Sequence, residues 1–219
     1  MRIHLKIDTK KQPIPFHHQP LLVGCIHKWL GRNDEHGVLS LYTFSRLEGG
    51  KATENGLTFD NGTSFFFSAY NSELITGMVK GIMSDRTLFY GMEVSEIVLR
   101  EDPDLSTRER FLLASPVLIK RRNDNNGTDH ILFNDPCSGI RMEETLRTKM
   151  KKAGITDNTL EITFDTTYPR AETKVITYNG IQNKANWCPV IIKGKPETKL
   201  FAWNVGLGNS TGIGFGAIK

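Results

Sequence analysis

Cysteine is scarce. Cys25, Cys137 and Cys188 are the three in 219 residues; they lie far apart, are odd in number and form no Cys-x-x-Cys pair. A disulfide framework and a cysteine-rich zinc site are thereby excluded, and a reducing cytoplasm is the expected location. Long hydrophobic runs are lacking too: none approaches the roughly 18 residues a membrane-spanning helix requires. The stretch MRIHLKIDTK alternates apolar and polar residues and holds no signal-peptide centre, so no membrane partner is expected. Sequons at Asn61, Asn126 and Asn209 then read as chance matches. A strong excess of one charge is also missing; 28 Lys+Arg against 24 Asp+Glu leave +4, which permits a nucleic-acid partner without requiring one. His17 and His18 are neighbours that share no helix face, and no His-Glu-x-x-His surrounds them. Neither a metal nor another cofactor is expected.

The residues present predict alternating elements. Ile3, Leu5 and Ile7 repeat every second residue, as in a strand with one buried face. FHHQPLLVGCIHKWLG predicts a helix, with Pro20 in its first turn, Gly31 as its stop, and Leu21, Leu22, Cys25, Ile26 and Trp29 as its apolar stripe. VLSLYTFSRL and TSFFFSAY read as strands, NSELITGMVKGIM as a helix capped by Asn71 or Ser72, and LFYGMEVSEIVLR as a strand. The order β-α-β-β-α-β is the ferredoxin-like unit. Polar EDPDLSTRER marks a boundary, so domains are expected at 1–103 and 111–219. In the second half FLLASPVLIKRR and HILF flank a turn, and GIRMEETLRTKMKKAG predicts a helix stopping at Gly154. TLEITFD, AETKVITY, WCPVIIKG and KLFAWNV read as strands. The expected class is α+β: two tandem ferredoxin-like (RRM-like) βαββαβ units with antiparallel sheets, the second with a reduced helix, ending in a glycine-rich loop.

That loop, GLGNSTGIGFGAIK, places five glycines between Gly206 and Gly216. It lacks the Gly-Lys-Ser/Thr ending of a P-loop and opens no long helix, so it reads as a mobile loop able to bring N–H groups against an extended polyanion. A glycine-rich hairpin is the plainer alternative. Basic residues gather at Lys120, Arg121 and Arg122 and along Arg141, Arg147, Lys149, Lys151 and Lys152; Arg147 and Lys151 share a helix face. These suit a phosphate track or, more simply, a solvated surface. Phe65, Phe66 and Phe67 offer rings for base stacking, although strand alternation sends at least one into the core. Of six histidines, His36 lies in the short polar RNDEHG loop directly before a strand. Imidazole serves there as acid or base near neutral pH.

Gly206-Leu207-Gly208, five residues, then Gly214-Phe215-Gly216 resembles the C-terminal signature of CRISPR repeat-processing endoribonucleases, the sixth Cas protein of the repeat-associated superfamily. FHHQPLLVGCIHKWL, LYTFSRL and ASPV resemble that family's first helix, its strand after the catalytic loop and the opening of its second half. The resemblance implies binding of CRISPR repeat RNA and one metal-independent cut per repeat by 2′-OH attack, leaving a 2′,3′-cyclic phosphate and a 5′-OH. It assigns His36 to the family histidine; the family's helix-borne tyrosine falls on His27 and its lysine on Ser40. Serine brings no cation, so either Lys28, Lys51 or another basic residue reaches in, or the site works without a lysine. His36 and His27 would share the acid and base roles, with Tyr42 a further candidate. Gly206, Gly208, Asn209, Ser210, Gly212, Gly214 and Gly216, with Lys120, Arg121, Arg122, Arg147 and Lys151, would hold RNA. Expected partners are precursor and product RNA and subunits of a CRISPR effector complex, with the chain a monomer or homodimer. The competing readings are a non-catalytic RNA-binding subunit of the superfamily and a structural protein without RNA.

Overall fold

The computed structural model describes residues 1–10, 12–31 and 39–219. Its first half contains β1 (Arg2–Asp8), α1 (Gln19–Leu30), β2 (Tyr42–Phe44), β3 (Lys51–Thr53), β4 (Gly56–Thr58), β5 (Thr63–Ala69), α2 (Ser72–Ser84) and β6 (Glu93–Arg100). β3 and β4 form a separate hairpin, and the other four strands make an antiparallel sheet ordered β2-β5-β1-β6. That is the ferredoxin-like order. Ile3, Leu5 and Ile7 are buried in one cluster with Leu22, Val23 and Ile26 of α1 and Ile75, Met78 and Ile82 of α2. Pro20 stands in the first turn of α1, and Gly31 ends it at φ +63°. Asn71 is the cap of α2; its side chain accepts from Glu73 N at 2.8 Å. Gly81 lets the two helices touch, because a Cβ there would fall under 3.0 Å from three backbone atoms of Trp29.

The second half runs β7 (Arg110–Phe111), β8 (Lys120–Arg122), β9 (Thr128–His130), α3 (Ser138–Lys152), β10 (Glu161–Phe164), β11 (Glu172–Tyr178), β12 (Ile181–Trp187), β13 (Val190–Lys193) and α4 (Pro196–Val205). Its sheet has the order β10-β13-β7, while β8–β9 and β11–β12 are two-stranded ribbons. Residues 217–219 add a further edge: Leu112 N donates to Lys219 O (2.9 Å), Lys219 N to Leu112 O (2.7 Å) and Ala114 N to Ala217 O (2.8 Å). With that edge the order again becomes ferredoxin-like.

Two expectations change. KLFAWNV belongs to a helix, not a strand. Pro196 starts the helix, and Asp157 caps it from a distant turn, accepting from Lys195 N (2.8 Å) and Thr198 Oγ1 (2.7 Å). FLLASPVLIKRR is not one strand either. Its successive parts bond to β13, to residues 217–219, to Asn186 of β12 and to β9.

Candidate functional site

The glycine-rich stretch is a wedge, not a mobile loop. Residues 206–208, 211, 212 and 214–216 are buried, and Phe215 is fully enclosed. Within the second half, Leu207 N donates to Gly216 O (2.9 Å), Asn209 N to Leu118 O (2.7 Å) and Gly216 N to Pro116 O (2.8 Å). The first half grips the other side. Gln19 Nε2 donates to Ile213 O (2.6 Å) and Gly214 O (3.2 Å), Thr43 Oγ1 to Phe215 O (3.1 Å) and Tyr42 OH to Gly212 O (3.4 Å). The glycines serve this fit. Gly216 combines φ +72° with a position where a Cβ would strike the Leu207 backbone, and Gly212 presses against the Ser40 and Tyr42 side chains. Several loop N–H groups thus donate inside the fold. The surface left for a ligand centres on half-buried Asn209, Ser210 and Ile213.

The structure brings Ser40 and Tyr42 to the Thr211–Ile213 turn of this wedge. His36, the principal catalytic candidate, lies in 32–38, outside the described residues. Its flanks are defined: α1 ends at Gly31 on one side, and half-buried Leu39 and Ser40 lead into β2 on the other. His27 is half-buried in the last turn of α1, the end that leads toward His36. Eight residues of helix, a rise of about 12 Å, separate it from Gln19.

The two lysines expected to compensate for Ser40 are engaged elsewhere. Lys28 pairs with Asp85 at 2.8 Å and donates to Thr87 O; Lys51 pairs with Asp60 at 2.6 Å on the β3–β4 hairpin. Lys152, at the end of α3, instead donates to Leu39 O at 3.1 Å, one residue from Ser40. Of the basic track, β8 adjoins the glycine wedge, since Lys120 N donates to Asn209 Oδ1 at 2.7 Å. Arg121 pairs with Asp129 at 3.3 Å, and Arg122 is exposed. Lys151 is exposed, but Arg147 donates to Asp157 O and Leu160 O and so ties α3 to the turn before β10. The phenylalanine triplet offers no stacking platform: Phe65 and Phe67 lie in the core, and Phe66 is covered by the Arg2 guanidinium, 3.7 Å above its ring.

Arg2 itself joins the halves. It lies 3.8 Å from the Trp203 ring, and its Nη2 donates to Trp203 O and Ile218 O. Beside it a cleft of about 590 Å³, lined by His4, Glu48, Arg100, Glu101 and Lys219 among others, carries both charge signs.

Two residues at the site hold places that the sequence reading did not give them. Gln19 gave no signal. Lys149 read as part of the basic track, yet it falls at helical spacing with Met142 and Leu146, on the buried face of α3. It is 2% exposed, and its ammonium donates to Val205 O (3.1 Å), Gly206 O (3.3 Å) and Thr211 Oγ1 (3.0 Å).

A model of the family described as "CRISPR associated protein Cas6, C-terminal" matches residues 100–219. No curated protein matches the sequence significantly. Several solved structures share the fold over 100% of this chain, three of them as follows. One is "CRISPR associated protein Cas6" (TM-score 0.84, 19% identity, 98% of that chain covered). Another is "An RAMP protein binding different RNA substrates" (0.87, 18%, 98%). The third is a Cas6-related protein from Pyrococcus furiosus (0.84, 20%, 97%). At such identities the likeness is one of fold.

Proposed function

The chain belongs to the Cas6 family of CRISPR-associated proteins and so has a part in CRISPR RNA processing; from that premise we propose that it cuts the precursor RNA once within each repeat, without a metal. The 2′-OH upstream of the scissile phosphate attacks phosphorus, the P–O5′ bond breaks, and the products carry a 2′,3′-cyclic phosphate and a 5′-OH. A base must take the 2′-OH proton, and an acid must protonate the departing 5′-oxygen. His36 and His27 fill these roles, each able to hold or release a proton near neutral pH. Lys152, bonded beside Ser40, stands in for the family lysine and offsets charge on the phosphorane. The glycine wedge, with the exposed side of β8, holds the RNA backbone.

The observation that carries this reading is the seating of the 211–213 turn on Ser40 and Tyr42, of which Ser40 is four residues along the chain from His36. The residues 1–103 would then supply the chemistry and 111–219 the loop that presents RNA to it. The substrate is CRISPR repeat RNA, with a monomer or homodimer acting in the cytoplasm and passing its product to effector-complex subunits.

The test incubates the protein with repeat RNA in excess EDTA and analyses the product ends. Wild type is expected to give one cut and a 2′,3′-cyclic phosphate, His36→Ala none, and His27→Ala a much slower cut. Wild-type activity in His27→Ala sinks the two-imidazole assignment. Ser40 in the lysine position favours a second reading, an RNA-binding subunit that does not cut. Tight binding with no product from wild type would establish that instead.

A further inference from the structure

Lys149 takes no part in the chemistry above, yet it lies beneath the loop that presents the RNA. One ammonium spans two carbonyls at the end of α4 and the hydroxyl that opens the 211–213 turn. We propose that Lys149 is a positioning residue of the RNA site: it fastens α4 to the Thr211 turn and so sets how closely Gly212 stands to Ser40 and Tyr42. This rests on the reading of the wedge as the element that holds RNA.

The groups that meet this ammonium are uncharged. α4 presents the Val205 and Gly206 carbonyls, and the loop presents the Thr211 hydroxyl. On α3, Lys152 lies three residues on and reaches Leu39 O; on β2, the titratable group at the loop is the Tyr42 phenol. Among the described residues no carboxylate or imidazole pairs with Lys149, and burial lowers its pKa to about 7. Three N–H donors match three acceptors in the charged form. The neutral amine keeps two donors and turns its lone pair toward the third acceptor, so losing the proton loosens the clamp.

Stability moves the opposite way. The folded pKa is depressed from 10.5 to about 7, so between those values the unfolded chain holds a proton that the folded chain has released. Stability from this group therefore rises with pH across that window. A lysine that only held the fold together would move activity and stability in the same direction. Lys149 drives them apart.

Wild type, Lys149→Met and Thr211→Val are compared between about pH 6 and 9 for single-turnover cleavage, RNA Kd and melting temperature. Thr211→Val removes one bond to a charged donor and is expected to fold and cut about tenfold more slowly. Lys149→Met is expected to cut about 10–100-fold more slowly at neutral pH. The ratio of wild-type to Lys149→Met rates should shrink as pH rises, while the wild type gains melting temperature relative to the variant. Taking the ratio removes the titration of the histidines, which both proteins share. A ratio constant with pH overturns the proposal, as does Thr211→Val at the wild-type rate; the latter decides the matter if Lys149→Met does not fold. If wild type binds RNA without cutting, the cleavage reading fails and the same ratios of Kd judge Lys149. If it binds no RNA, both fall.

Discussion

A single methyl group placed at Gly212 tests the geometry of the site directly. Gly212 has no positive φ, so Gly212→Ala imposes no backbone strain, and its effect comes from contact alone. The new Cβ would lie 3.0 Å from Ser40 Cβ, 3.2 Å from Tyr42 OH and closer still to Ser40 Oγ. Ser40 Oγ can rotate away, but its Cβ cannot. Ordinary contact begins at 3.4 Å, so the turn must retreat by about 0.4 Å. The Tyr42 OH to Gly212 O bond, already 3.4 Å, is then lost. Overpacking of this size costs about 1 kcal/mol, or roughly 3 °C in melting temperature for a chain of this length. A displacement of about 1 Å at a reacting centre costs on the order of 100-fold in rate, so the smaller retreat predicts a loss of about tenfold. Single-turnover cleavage of repeat RNA and thermal melting measure the two effects. Ser40→Gly in the same chain removes the blocking Cβ and should return the melting temperature. Gly212→Ala with a rate within about twofold of wild type and unchanged melting would refute the close seating of the turn on β2.

Gly216→Ala adds positive-φ strain to a backbone collision and should lower unfolding free energy by about 3 kcal/mol in denaturant titration. Arg2→Met removes a guanidinium stacked between two rings and two bonds to carbonyls; a loss of about 3 kcal/mol is expected, read by the same titration. Arg122→Ala should weaken RNA binding and reduce the slope of log K on log salt by about 1, measured by filter binding across salt concentrations. Arg147→Met should leave that slope unchanged and lower the melting temperature, because its guanidinium already serves two carbonyls.

The first half was legible because its signals are local. The period-2 run at Ile3, Leu5 and Ile7, the Pro20 and Gly31 boundaries and the Asn71 cap each act within a few residues. KLFAWNV misled because its cap, Asp157, lies about 40 residues upstream and carries no mark of that role in the local pattern. The glycine stretch misled more deeply. Its composition speaks of freedom, whereas its partners Gln19 and Thr43 are 194 and 172 residues distant from the carbonyls they bind. Glycine there permits close packing, not motion. Arg147 and Lys149 both read as surface charge in a basic helix, yet the second lies on the apolar face that Met142 and Leu146 define, which a stricter count of the stripe reveals.

The clasp between Arg2 and Ile218 also orders events in time. These residues are 216 positions apart, and the last edge of the second sheet forms from 217–219. Contacts of such separation form late. The β2-β5-β1-β6 sheet can close before the groove that Gln19 and Thr43 line receives its wedge, so the proposed RNA site is completed only when the two halves have docked.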